Sequence, residues 1–138
     1  MPYETELTED CMGVVHHGRG MVTGREILRG SLVVSHLVQN TANFHYEFVD
    51  LSEATGIQIT ERDLKEIATL DQLTAFFRPH AVVVVVAPDD RVFAVAQRWE
   101  SMVRNLGWNI HLARSRPEAQ EWLKDNFDPQ ATELSARH

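Results

Sequence analysis

Two kinds of apolar pattern alternate along the chain. Short runs rich in β-branched and aromatic residues are typical of strands, and segments with an apolar residue every three or four positions are typical of helices. The strand-type runs cover residues 3–7, 11–17, 44–51, 81–87 and 108–113. The helical segments cover residues 23–38, 60–77, 91–106 and 115–127. The pattern predicts that strands and helices follow one another in turn.

The run at residues 81–87 reads Ala-Val-Val-Val-Val-Val-Ala and has no polar position. A strand with one face in water would alternate apolar and polar residues, so this strand must be covered on both faces, as in parallel sheets flanked by helices. Each fully buried valine contributes roughly 1.5–3 kcal/mol to folding. We therefore expect a central strand that supplies a large part of the driving force for folding.

The alternation predicts an α/β fold with a single mixed, mostly parallel sheet flanked by about four helices. A length of 138 residues suits one domain, which we place at residues 1–127. The polar remainder, residues 128–138, is expected to be a flexible C-terminal tail.

Composition narrows the classes of function. Lys and Arg number 13 against 20 Asp and Glu, so the formal net charge of −7 opposes phosphate backbones, and we expect no nucleic-acid partner. No apolar run is long enough to span a membrane and no secretory signal is visible, which favours a cytoplasmic location. The single cysteine, Cys11, lies in an apolar stretch and is expected to be a small buried core residue.

Neither a metal site nor a cofactor site is predicted. His16 and His17 are neighbours on a strand and point to opposite faces, and no Cys-x-x-Cys or His-Glu-x-x-His pattern is present. Gly18, Gly20 and Gly24 come near the dinucleotide fingerprint, but the third glycine is one position late. We expect these glycines to serve a tight turn.

The order of elements, with Gly-Arg-Gly-Met-Val-Thr at residues 18–23, Val-Asp-Leu-Ser at 49–52 and Glu-Ala-Gln-Glu-Trp-Leu at 118–123, resembles the STAS superfamily. More closely, it resembles the bacterial SpoIIAA-like branch, sometimes described as STAS/SEC14-like. The resemblance spans about residues 3–127. It implies a STAS/SpoIIAA-like fold and relatives that include anti-sigma factor antagonists, which bind a partner protein and are switched by phosphorylation.

The phosphoswitch motif implied by this resemblance is not retained. Switched members carry an Asp-Ser-Ser-Gly-like or Asp-Ser-Thr-Gly-like motif at a helix start, where this chain has Gln-Ile-Thr-Glu at residues 58–61. Thr60 is the hydroxyl that remains near that position. Because it precedes an apolar helical stripe, Thr60 is also predicted to be a helix N-cap.

Candidate residues for binding a partner or ligand are the polar groups expected at the carboxyl ends of strands and at helix starts. They are Asp50, Ser52, Thr60, Asp89 and Asp90. Each also has a structural interpretation. Asp50 and Ser52 are typical of turns that bond their own backbone, and the other three are typical of helix caps.

The sequence favours a non-catalytic regulatory or protein-protein interaction module. We expect a protein partner and a homo-oligomer that forms through the helix at residues 91–106, with Phe93 and Trp99 as interface candidates. A second interpretation is a carrier or sensor of a small apolar ligand or lipid, which the SEC14-like aspect of the resemblance implies. A third, an enzyme, requires Asp50, Ser52, Asp89 or Asp90 to converge in one pocket.

Overall fold

The computed structural model describes residues 3–40 and 44–127. The strands are β1 (Tyr3–Leu7), β2 (Gly13–Thr23), β3 (Tyr46–Gln58), β4 (Val82–Val86) and β5 (Asn109–Ala113). The helices are α1 (Gly24–Asn40), α2 (Glu61–Phe77), α3 (Asp90–Val103) and α4 (Arg116–Asn126), with a short 3₁₀ helix at Arg104–Leu106. The tail predicted over residues 128–138 lies outside the described residues.

The five strands form one sheet in the order β1-β2-β3-β4-β5. β1 pairs antiparallel with β2, and the other neighbouring strands pair in parallel. The predicted mixed, mostly parallel α/β sheet is confirmed. Because successive right-handed crossovers step in one direction across the sheet, α1, α2 and α3 share a face. In accordance with this, α1 packs on α2 and α2 on α3, whereas α4 packs on β4 and β5.

The valine strand is covered on both faces. Val83 and Val85 pack in the clusters beneath α1, α2 and α3, whereas Val84 and Val86 pack on the other side with Trp122 and Leu123 of α4. All five valines of β4 are buried, as their pattern predicts. The two sides are covered unequally, by three helices and by one.

β2 and β3 are longer than the sequence predicts. Gly18-Arg19-Gly20 and Asp50-Leu51-Ser52 were expected to end strands, but β2 continues to Thr23 and β3 to Gln58, and the two remain paired. The pairing register shifts on either side of Gly20, whose φ of 60° glycine adopts readily. The break signals therefore mark bulges, and Asp50 and Ser52 lie within a strand.

Two expectations about burial are wrong. Leu73 and Phe77 follow Leu64 and Ile67 at helical spacing in the sequence, which predicts that they are buried, but both are exposed. The buried positions in this part of α2 are Asp71, Thr74 and Ala75. Cys11 was expected in the core and is instead exposed in the turn between β1 and β2, with a φ of 58°. The turn between β1 and β2 places Cys11 at the surface, although its neighbours in the sequence are apolar.

Replacing Val84 with Asp should prevent folding. Val84 has no exposed surface, so the new carboxylate would be buried without a partner, which costs several kcal/mol. The matched control is Val33→Asp, because Val33 is exposed on α1. Circular dichroism and soluble yield measure the outcome. A folded Val84→Asp protein with the parent's melting temperature would contradict the conclusion that both faces of β4 are covered.

Candidate functional site

Asp50 lies where the sheet places it, beside the carboxyl end of β4. It pairs in register with Val86 and is only 3% exposed. Its Oδ1 accepts a hydrogen bond from the amide of Ser52 at 3.0 Å, and its Oδ2 accepts from Nε of Arg116 at 2.7 Å. Burial alone would raise the pKa of Asp50, but the hydrogen bonds from Ser52 and Arg116 outweigh it and lower the pKa. Asp50 is therefore held as a paired carboxylate.

An open groove of about 570 Å³ runs along this face of the sheet, between β1–β3 and α4. Asp50, His17 and Arg116 supply its polar part, and Nδ1 of His17 lies 3.6 Å from the Asp50 carboxylate. Val15, Phe48 and Leu123 are among its apolar walls. The groove exists because α4 covers only the β4–β5 half of the face.

Two of the other predicted polar residues, Thr60 and Asp89, cap helices, and Asp90 lies in the first turn of α3. Asp89 accepts from the amides of Arg91 and Val92 at the start of α3, and Asp90 pairs with Arg114. Thr60 accepts from the amide of Asp63 at 3.0 Å, while the Asp63 carboxylate accepts from the amide of Thr60 at 3.1 Å. None of Thr60, Asp89 and Asp90 lines the groove that holds Asp50.

Phe93 and Trp99, the interface candidates, are both partly buried. The guanidinium of Arg114 lies over the Phe93 ring, 4.4 Å from its centroid, and the indole N–H of Trp99 donates to Oδ2 of Asp71 at 2.7 Å. Both rings pack against the cluster between α3 and the sheet. Their contact with a second copy of the chain stays a prediction.

The sequence did not indicate a second site, a small, partly open cavity of about 80 Å³ between the sheet and α1, α2 and α3. Its walls are mainly branched aliphatic side chains, among them Ile27, Ile57, Ile67, Val85 and Val92. Its polar lining includes the side chains of Tyr3, His16, Glu47 and Asp71. A polar group in such surroundings is costly unless it is hydrogen-bonded.

His16 and Glu47 form a buried pair on neighbouring strands. Nε2 of His16 lies 2.5 Å from Oε1 of Glu47, and Nδ1 of His16 lies 2.8 Å from the Thr5 hydroxyl. A carboxylate only accepts hydrogen bonds, so as a carboxylate Glu47 accepts this one from Nε2 of His16. This chain of bonds fixes the Oε1 atom of Glu47 and leaves its other oxygen available.

Asp71 faces the same cavity from α2. Burial raises its pKa to about 8, with the nearby Glu47 carboxyl adding to the shift and the Trp99 hydrogen bond opposing it. Burial, followed by Glu47 and Asp71, also raises the pKa of Tyr3. The Asp71 carboxyl is therefore largely protonated at neutral pH, and a protonated acid inside a cavity is a candidate binding group.

A third surface, which we call the α1–α2 face, lies on the outside of the helix pair. A groove of about 630 Å³ between the two helices is lined by Arg25, Leu28, Arg29, Leu32, Arg62, Lys65, Glu66, Thr69 and Leu70. Leu73 and Phe76 extend the face toward the C-terminal end of α2, and Phe76 is 81% exposed. The face combines cationic and apolar side chains.

In residues 3–40 and 44–127, no group of three or more His, Cys, Asp or Glu side chains is arranged to hold a metal ion. Within the same residues, no helix is both long and apolar enough to cross a membrane.

No protein-family model matches the chain, and no curated protein matches it. Solved structures with a similar fold include the anti-sigma factor antagonist SpoIIAA in its unphosphorylated form, with a TM-score of 0.54 and 9% identity over 88% of this chain and 97% of that one. An uncharacterised DUF3478-family protein with a SpoIIAA-like fold from Shewanella loihica has a TM-score of 0.54 and 14% identity over 88% of this chain and 91% of that one. The chain therefore has the SpoIIAA-like fold that its sequence pattern resembles.

Thr60→Ala should destabilise the protein by about 1 kcal/mol, because it removes the hydroxyl that caps α2. Thr60→Ser keeps that hydroxyl and should change the free energy of unfolding by much less. Urea denaturation of both variants measures the difference. Equal stability of the Ala and Ser variants would show that the capping box contributes nothing.

The raised pKa of Asp71 makes stability depend on pH. An aspartate in the unfolded chain loses its proton near pH 4, whereas folded Asp71 keeps it up to about 8. The folded state binds more protons in between, so the free energy of unfolding should fall as the pH rises from about 4 to about 8. Urea denaturation across this range should show a weaker fall for Asp71→Asn and an unchanged fall for the exposed-site control Asp125→Asn. The same pH slope in Asp71→Asn and the parent would contradict this account.

Proposed function

We propose that the protein is a non-catalytic interaction module whose α1–α2 face docks an acidic, amphipathic segment of a partner protein. The observation that carries this proposal is the grouping of cations and exposed large apolar side chains on one helix pair of a chain with a net charge of −7. The surface includes α2, the helix that begins after Thr60, which is one of the residues predicted to bind a partner or ligand.

The apolar half of the face supplies contact area. Leu32, Leu73 and Phe76 are each more than two-fifths exposed, and all lie on α1 or α2. Contiguous exposed apolar side chains on a surface are typical of interaction sites, whereas isolated ones are common everywhere. A partner segment therefore needs apolar residues opposite the C-terminal half of α2.

The cationic half of the face supplies selectivity. Arg25 and Arg29 have no ion-pair partner among residues 3–40 and 44–127, while Arg62 pairs with Glu66 at 3.2 Å. The planar guanidinium group of an arginine can donate two parallel hydrogen bonds to one carboxylate. Complementary charge also raises both the association rate and the discrimination between partners. The partner segment therefore needs acidic residues opposite the N-terminal halves of α1 and α2.

The fold also supports a protein partner, because SpoIIAA is an anti-sigma factor antagonist. Thr60 serves here as a structural cap, so the proposal includes no phosphoswitch at that residue. Regulation of the partner, self-association through Phe93 and Trp99, a second docking surface in the groove at Asp50, and a cytoplasmic location are further parts of this proposal.

A photo-crosslinking amino acid at position 76 tests the docking surface in cells that make the protein. We expect an adduct with another protein, joined at a segment rich in acidic and apolar residues when mapped by mass spectrometry. The double variant Arg25→Glu/Arg29→Glu should reduce the adduct about tenfold or more, because it reverses the charge of the face. The crosslinker at exposed Asn105 in the 3₁₀ helix is the matched control and should give no such adduct.

Three outcomes would overturn the proposal. An adduct that survives the double charge reversal would show that the cations do not select the partner. An adduct with a second copy of this chain would assign the face to self-association. Crosslinking to lipid, together with cosedimentation on phosphatidylserine vesicles, would assign it to an anionic membrane surface.

A further inference from the structure

We propose that the cavity beneath α1, α2 and α3 binds a small aliphatic amine, with its ammonium group between the carboxyl groups of Asp71 and Glu47 and its hydrocarbon part against the branched side chains of the wall. This site lies in the interior, and its existence does not depend on the α1–α2 face. The proposed ligand differs from the small apolar ligand of the second sequence interpretation, because it carries a cationic head group.

The cavity offers hydrogen-bond acceptors whose partners are missing. Asp71 uses Oδ2 for Trp99, and Glu47 uses Oε1 for His16, so each carboxyl has one oxygen without a partner among residues 3–40 and 44–127. The Tyr3 hydroxyl likewise has no hydrogen-bond partner in this part of the chain. No fully enclosed polar side-chain atom there lacks a partner, so these three oxygens each keep accessible surface, and all three residues line the cavity.

The charge of the site selects the head group. Asp71 is 7% exposed and Glu47 is 9% exposed, and the donors beside them, the His16 ring and the Trp99 indole, are already engaged. Two neighbouring carboxyls in low-dielectric surroundings cannot both ionise without a cation between them. An ammonium group donates up to three hydrogen bonds and compensates the charge, whereas an anion or a neutral hydrocarbon does neither.

The volume and walls limit the rest of the ligand. A cavity of about 150 Å³ lined by aliphatic and aromatic residues accommodates benzene, and this cavity of about 80 Å³ is close to half that size. In proportion to the six non-hydrogen atoms of benzene, a ligand of roughly three non-hydrogen atoms follows, with ethylamine as a suitable probe. For a ligand of this size, the limit on binding energy per atom places the Kd no tighter than roughly 0.5 mM.

Proton release gives the proposal a distinctive signature. Without ligand, Asp71 carries a proton up to about pH 8 because it is buried beside Glu47. The other titratable side chains that line the cavity are Tyr3 on β1, His16 on β2 and Glu47 on β3, while α1 and α3 contribute uncharged residues. Binding of the ammonium releases the Asp71 proton, so amine affinity should rise about tenfold per pH unit between about 6 and 8.

Methyl NMR titration of the full chain with ethylamine, and with ethanol as the neutral isostere, tests the site. We expect saturable shifts at Ile67 and Val85, at least about tenfold tighter binding of the amine, and the pH dependence for the amine alone. Asp71→Asn should lose the amine preference and its pH slope, whereas Asp125→Asn, which removes an exposed carboxylate, should keep both.

Equal affinity for amine and alcohol, a flat pH profile, or shifts confined to surface methyls would each overturn the proposal. If Asp71→Asn fails to fold, the wild-type pH profile and the Glu47→Gln variant decide, because both report on the same pair of carboxyls. Unchanged amine affinity in a folded Glu47→Gln protein would also overturn it. None of these results bears on crosslinking at position 76.

Discussion

A five-valine strand with no polar position is stable only if water is excluded from both of its faces. β4 therefore occupies an interior place in the sheet, with β3 and β5 on its two sides and helices above and below. The order of the crossover connections then determines which helices lie on each face of the sheet. Three connections that step across the sheet in one direction place α1, α2 and α3 on one face, and α4 remains for the other.

The unequal cover produces the surfaces on which function depends. The single helix α4 leaves the β1–β3 half of its face as an open groove, in which the buried Asp50 pairs with the exposed Arg116. On the opposite face, the three helices enclose a cavity around Glu47 and Asp71. The side of α1 and α2 that faces away from the sheet carries the exposed Phe76 beside a cationic groove.

Features set by local chemistry were predictable from the sequence. The Thr60 cap, the Asp89 cap and the buried valine strand each depend on a few neighbouring residues, and each is present. The continuations of β2 and β3 were not predictable, because Gly20 and Ser52 are break signals that long-range pairing and a bulge override.

The internal polar site was missed because His16, Glu47 and Asp71 are far apart in the chain and meet only after folding. One signal was available. Asp71 lies seven residues after Leu64 and four after Ile67, on the apolar stripe of its helix, where a lone carboxyl needs an explanation. Leu73 and Phe77 are the converse case: they are apolar but exposed, because they lie on a different side of α2 from the buried stripe.

The central claim is that the layer beneath the three helices is a functional cavity around a protonated carboxyl, and not a sealed apolar core. Carbon-13 NMR of the Asp71 side-chain carboxyl, followed as a function of pH, measures this most directly. The account predicts a titration midpoint near 8, with a smaller response at the same pH from the Glu47 carboxyl. A midpoint near 4, the ordinary value for an exposed aspartate, would contradict it.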